Sequence, residues 1–200
     1  MKKTAIFGAA LAMMAFASCS HSDNFVGAWQ STKPIDLSQQ LPDAATGSAL
    51  MTLEFGPNTG KGGTVTINSL LEATQAVVPS PALNEGYEVS IAGTATINGT
   101  WAYEDRDDDD LILTLDLTSL NVNVDNNGVT FRQNVVTDAQ EPVADSLSTV
   151  TADLWRQQFA HALRIELNRY TKLDDVKVRD SVLTFELDHP DQKMEFRKAL

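Results

Sequence analysis

Six carboxylates fall within seven residues at Glu104-Asp105-Arg106-Asp107-Asp108-Asp109-Asp110, the densest ligand supply in the chain for a hard cation. Such a cation takes about six to eight oxygens. The run has neither the glycine nor the distant bidentate glutamate of an EF-hand loop, and it lies where a hairpin needs a solvated turn. It therefore reads as that turn, with calcium as the alternative chemistry. Glu166 sits inside the apolar arc of a helix, between Trp155 and Phe159 in angle, with Arg169 close by. A polar head at a pocket mouth and a snorkelling pair at a helix edge both fit that placement. The histidines are His21, His161 and His189, too far apart to form a metal triad. No serine stands in a nucleophile elbow and no glycine loop opens a helix, so the reading is of a non-enzyme without cofactor or metal.

The single cysteine, Cys19, has a different chemistry. Lys2 and Lys3 open the chain, Ala5 to Ala17 is apolar but short for a bilayer span, and small residues precede the cysteine. This is the layout of a secretory signal. Phe16-Ala17-Ser18-Cys19 resembles the lipobox of bacterial lipoproteins, with Phe16 where leucine is commoner. The resemblance implies a signal peptide over 1–18, a thioether-linked diacylglyceride and acyl chains such as palmitate on Cys19, and an acylated tether over 19–24. Ser20, where aspartate would mark inner-membrane retention, implies the outer membrane, with either leaflet open. Two or three acyl chains hold a protein far more firmly than one. Asp145-Ser146-Leu147 and Asp180-Ser181-Val182 are similar to the short O-glycosylation sequons of some Gram-negative anaerobes.

With 42% hydrophobic and 21% charged residues, positions 25–200 suffice for one domain with a substantial core. The formal net charge is −12, and loss of Lys2 and Lys3 with the signal takes it to −14. Such a surface repels nucleic acid and anionic head groups.

The elements that position these residues are mostly strands. From Tyr87 to Tyr103 the odd positions are apolar or glycine and the even ones mostly polar, which predicts a sheet with one buried side. Eighteen residues would run about 60 Å if straight, so the strand must bend, and Gly93 and Gly99 predict where. Leu111 to Leu117 continues the alternation. Its phase slips at Thr118 and Ser119, as a bulge would cause, before Leu120, Val122 and Val124. Asp125-Asn126-Asn127-Gly128 predicts a type I′ hairpin turn. Ser69-Leu70-Leu71-Glu72 fits a capping box, leaving Leu70 to Val78 open between a short helix and an extended edge. Residues 137–149 read as loop. Thr151 predicts the cap of a helix over 151–170, with Trp155, Phe159, Leu163, Leu167 and Tyr170 on one face beside Leu154 and Ala162. Closing strands follow at Val176–Val178, Leu183–Leu187 and Met194–Phe196.

Gly27-Ala28-Trp29 on the first strand, the meander of hairpins, the late helix and the basic end Phe196-Arg197-Lys198 resemble a lipocalin-like (calycin) barrel of Gram-negative lipoproteins. The fold so implied is mainly β, an antiparallel up-and-down barrel of eight to ten strands with one long amphipathic helix. The resemblance implies a barrel floor in which Trp29 stacks with Arg197 or Lys198, a contact worth about 0.5–2 kcal/mol. A membrane-spanning barrel is excluded on the pattern, since the apolar face is needed for the core. Two functions stay open. One is an anchored, non-enzymatic binder of a small apolar ligand, lined by Trp101, Tyr103, Leu113, Leu115 and Glu166. The other is an interaction or structural protein with a packed interior, meeting a partner protein or glycan through its loops.

The anchor is directly testable. Growth with an alkyne-tagged fatty acid is expected to label the mature chain, and Cys19→Ala to abolish the label and release the protein from membranes. An unlabelled chain, or a Cys19→Ala variant that stays membrane-bound, would remove it.

Overall fold

A computed structural model describes residues 24–60, 62–77, 87–104, 107–133, 145–188 and 190–199. The signal, Cys19, His21, Asp105, Arg106 and His189 lie outside the described residues. The strands are β1 (Gly27–Ser31), β2 (Ile35–Asp36), β3 (Ala45–Phe55), β4 (Gly63–Val77), β5 (Tyr87–Glu104), β6 (Asp107–Leu115), β7 (Asn121–Asn123) and β8 (Val129–Gln133). The helix α1 (Asp145–Leu167) comes next, then β9 (Lys172–Arg179), β10 (Val182–Asp188) and β11 (Asp191–Lys198). Among the described residues a closed antiparallel ring runs β1-β11-β10-β9-β6-β5-β4-β3 and back to β1. The fold is mainly β, an eight-strand barrel with three extra strands and one long helix late in the chain, as the alternation predicts.

Ring closure is local. β1 is bonded on both edges, with Trp29 opposite Lys198 of β11 and opposite Leu53 of β3. The inner face then follows the two-residue period: Met51, Leu53 and Phe55 on β3, Val65, Ile67 and Leu71 on β4, Val89, Ile91, Ile97 and Trp101 on β5, all buried. Of the segment left open, Leu70 to Val77 is the extended alternative, since β4 runs through it with Leu71 inside and Leu70 out, and Val78 lies outside the described residues. The capping box goes unused because ladder bonds on both sides of β4 outweigh one local cap.

The strand β5 changes partners along its length. Gly99 to Glu104 pairs with β6, Thr94 to Thr96 with β7, and Tyr87 to Ile91 with β8. Both predicted bending glycines sit where a partner backbone crosses closely. A Cβ on Gly93 would lie 2.8 Å from the Asn123 carbonyl oxygen, and one on Gly99 would lie 2.5 Å from that of Thr114.

Two turn readings are corrected. The phase slip after β6 is a 3₁₀ turn over Leu117–Ser119, not a bulge: the Asp116 carboxylate accepts from the Thr118 amide at 2.9 Å and from its hydroxyl at 2.6 Å. Asp125–Gly128 is not a type I′ hairpin either. It is a 3₁₀ jog between β7 and β8, which lie along the same edge of β5 and do not pair with each other. The two-residue turn with paired positive φ is Asp180–Ser181, at 49° and 64°, joining β9 to β10.

The helix also differs from its predicted bounds. It begins at Asp145 rather than after Thr151 and ends at Leu167 in a 3₁₀ turn over Asn168–Thr171. Residues 145–149, read as loop, are its first turns, and the Asn126 amide donates to the Thr149 hydroxyl at 2.9 Å. Arg156 donates to the Val124 carbonyl at 2.9 Å, tying the helix to the end of β7. Trp155, Phe159, Ala162, Leu163 and Leu167 face the sheet and are buried, whereas Leu154 is 51% exposed.

The seam between β6 and β9 is the narrowest in the ring, with only Leu111↔Leu173 and Ile112↔Lys172 in register. Side chains reinforce it. The Lys172 ammonium lies 3.0 Å from Glu104, 3.2 Å from Asp110 and 2.9 Å from Asp174, one carboxylate from each of three strands. Bonds to those carboxylates raise the Lys172 pKa above its ordinary 10.5. Desolvation pushes Asp110 up, but the Asp175 amide and Lys172 outweigh it and hold the carboxyl below its ordinary 3.8.

The pH dependence follows from these signs. The Lys172 contribution is complete below 10.5 and is lost as pH rises through its higher folded value. The Asp110 contribution is complete above 3.8 and is lost as pH falls through its lower folded value. Lys172→Met, which leaves three carboxylates facing one another, is expected to lower Tm at pH 7, with the deficit shrinking as the carboxylates protonate below about pH 4. Thermal unfolding from pH 2 to 9 checks this, and a deficit independent of pH would refute it.

Candidate functional site

The barrel interior is where the five proposed lining residues belong. Trp101 is 1% exposed and donates from Nε1 to the Gly56 carbonyl at 3.1 Å. Its ring meets Phe25 edge-on at 4.9 Å and Tyr103 at 5.6 Å, and Phe25 in turn meets Phe55 at 5.3 Å. Leu113 is buried opposite Trp101, and Leu115 packs partly buried against the same core. The structure thus brings Trp101, Tyr103, Leu113 and Leu115 together as parts of a packed aromatic and aliphatic cluster that Phe25 fills from below.

Trp29 is buried too, and its Nε1 donates to the Phe25 carbonyl. Lys198 stands directly across from it at the exposed rim, while Arg197 pairs with Gln30 on the outer face. Of the two basic candidates for the floor, only Lys198 shares Trp29's side of the sheet. The ring contacts beneath the barrel come from Phe25.

Glu166 is 1% exposed, so it is neither at a pocket mouth nor snorkelling. Arg169 clamps it, donating from Nη1 to Oε1 at 3.0 Å and Oε2 at 3.2 Å, while Nη2 donates to Gln192 Oε1 at 2.7 Å. The clamp fastens the end of α1 to β11. Beside it the Tyr170 hydroxyl is fully buried without a hydrogen-bond partner among the described residues. Burial first and the Glu166 carboxylate second push its pKa well above the ordinary 10.0. A charge this deep is tolerated because it is paired.

At the opposite surface, the outer faces of β3, β4, β5 and β8 form a cleft of about 590 Å³. One wall is a row of four hydroxyls, Thr46, Thr74, Ser90 and Thr130, in register across the four strands. The facing wall carries Ser48 and Glu72, and Ala92 leaves the middle open. A second cleft of about 390 Å³ continues along the same face past Leu50 and Leu70, and Leu70 is 55% exposed. Sequence reading missed this row because its members are 16 to 40 residues apart. The available signal was the polar phase of the alternation, which marks the outer face without giving the register that aligns it. Ser181 lies exposed at the tip of the β9–β10 turn, and the side chain of Ser146 is outside the described set.

The clamp gives a stability prediction. Arg169→Met leaves Glu166 buried and unpaired and is expected to cost about 3 kcal/mol, while Glu166→Met with Arg169→Met is expected to recover most of it. Urea unfolding of the three proteins decides it, and a double variant no better than the single one would show that the pair is not coupled. Compared with family models, curated proteins and solved structures, the chain matches none.

Proposed function

We propose that this chain is a lipid-anchored envelope protein whose barrel is a solid, non-enzymatic scaffold presenting its outer surface to a partner. The carrying observation is the interior. Trp29, Trp101, Trp155, Tyr170, Phe55, Phe159, Phe185 and Phe196 are each under 2% exposed or at 2%. An eight-strand barrel is just wide enough to be filled by its own side chains or to hold one small ligand. Here the residues proposed to line a ligand contact one another instead, which favours the packed-interior reading. The same rings explain why the scaffold is rigid. Each aromatic side chain removes about 150–250 Å² from water, so the three tryptophans alone contribute up to about 4–6 kcal/mol apiece.

The anchor reading sets an orientation. From Cys19 to Phe25 the backbone reaches at most about 20 Å. The end of the barrel closed by Phe25 therefore stands nearest the membrane. The start of β3, Ala45, lies ten residues along the strand from Phe55, about 33 Å of strand away from that end.

The test is ligand-induced stabilisation. A ligand at 100 times its Kd raises stability by about 2.7 kcal/mol, a shift of several degrees in Tm. Across fatty acids, a retinoid and haem, the purified protein is expected to show no shift, and native mass spectrometry to show only the acylated chain. A copurifying apolar molecule, or a shift removed by filling the interior with Leu113→Trp, would overturn the scaffold reading.

A further inference from the structure

We propose that the cleft across β3, β4, β5 and β8 binds a neutral polysaccharide chain. This rests on reading the barrel as a scaffold that works from its outside.

The first ground is the kind of surface. A sheet face offers no free backbone groups, because β4 and β5 are bonded along both edges at this level. A peptide strand recognises an open edge and gains main-chain bonds there, which this face cannot supply. What it supplies is side-chain hydroxyls. Neighbouring strands are spaced about 4.8 Å apart, so the rungs that carry Thr46, Thr74, Ser90 and Thr130 repeat at that interval across the cleft, with the Thr46 and Thr74 hydroxyls drawn together to 2.9 Å. The rung interval is close to the length of one hexose ring in an extended glycan.

The second ground is chemistry. A hydroxyl both donates and accepts, so the row can meet sugar hydroxyls in either sense. Thr46 and Thr74 bond to each other at 2.9 Å, while Ser48, Glu72 and Ser90 make no side-chain bond among the described residues. The Glu72 carboxylate has two oxygens for a vicinal diol and accepts charge-assisted bonds. Leu70, exposed beside Leu50 on the next rung, offers an apolar patch for the C–H face of a ring.

Charge selects the occupant. Among the described residues no lysine, arginine or histidine lines the cleft and its one ionised group is Glu72, and the chain carries a net charge of −12. An anionic polymer is repelled and an apolar peptide finds hydroxyl walls, whereas an uncharged polyol meets neither obstacle. Its place near the start of β3, far from the Phe25 end, leaves it facing away from an anchored N-terminus.

Titration calorimetry with neutral hexasaccharides (β-1,4-glucan, α-1,4-glucan, β-1,4-xylan and α-1,6-mannan), with polygalacturonate as the anionic control, tests the assignment. At least one neutral chain is expected to bind and polygalacturonate not to. Ala92→Trp, which fills the cleft from an exposed position, is expected to weaken that binding by about tenfold or more, and Glu72→Gln by a smaller factor. Circular dichroism melts confirm that both variants fold. Binding to none of the neutral chains, binding to the polyanion alone, or an unchanged Kd for Ala92→Trp would each overturn the glycan assignment. A photo-crosslinking residue at position 92 in living cells separates the two levels. A protein adduct without glycan binding refutes the glycan and keeps the scaffold reading, whereas neither adduct nor glycan binding removes both.

Discussion

Everything in this molecule depends on five residues bonded on both edges. β1 is the only element that touches both β3 and β11 as a strand among the described residues, and without it the sheet is an open ribbon ending at β11 on one side and β2 on the other. Open edges invite other strands, and closure removes them. Short as it is, β1 succeeds because it is fixed from inside at its start and at its centre. Phe25 sits below it in contact with Phe55, Trp101 and Tyr103, and Trp29 is held to Phe25 by its indole nitrogen. The closing strand and the aromatic plug are therefore one device.

Closure is needed only over half the length of the long strands. β5 leaves the ring beyond Gly99, where β6 gives way to β7 and then β8. The inner face exposed by that departure, from Val89 to Ala95, would meet water unless another layer covered it. The helix is that layer, and its buried side, Trp155 to Leu167, continues the barrel's core as a single cluster. Its end must then be fixed to the strands that follow, which is what the Glu166–Arg169–Gln192 clamp achieves. A buried ion pair adds little net stability, but it specifies one seating of the helix over others.

Much of this was legible in the sequence. Alternation located β3, β5, β6, β10 and β11, and the helical spacing of Trp155, Phe159 and Leu163 gave the buried side of α1. The misses have two causes. Asp125–Gly128 was read from its local chemistry and was decided by β5, whereas the slip at Thr118–Ser119 was settled by the Asp116 side chain; Leu70–Val78, left open, is held extended as far as Val77 by β3 and β5. A capping box or an Asn-Gly pair describes what a segment would do alone. Once β3 and β5 flank β4, or β5 offers one edge to both β7 and β8, ladder bonds override that preference. Glu166 was misjudged because its partner Arg169 is tied to Gln192 of β11, a contact its sequence neighbours do not announce. The site was less legible than the fold, since its row of hydroxyls exists only in the register of four strands.

The contrast between the two faces of the same strands limits what the protein can do. On β3, β4 and β5 the inner positions are mostly apolar, large at Met51, Leu53, Phe55, Ile67, Leu71, Ile97 and Trp101 and small at Ala45, Ala49, Ala73 and Ala95, and the outer ones are mostly threonine, serine, asparagine and glutamate, with Leu50 and Leu70 the large apolar exceptions. A lipid-facing barrel would require the reverse. What favours the proposed scaffold is an interior in which tryptophan and phenylalanine rings pack beside the small Ala49, Ala73 and Ala95. Thr66 with Asn98 and Thr96 with Asn68 are already bonded to each other across β4 and β5, so that part of the outer face is satisfied within the protein. Ser48, Glu72 and Ser90, which have no side-chain bond among the described residues, line the concave part of the sheet, while Thr52, Glu54 and Thr94 are likewise unbonded elsewhere on the same face. On the proposed reading the cleft is the recognition surface because it combines a concave shape with the unbonded Ser48, Glu72 and Ser90.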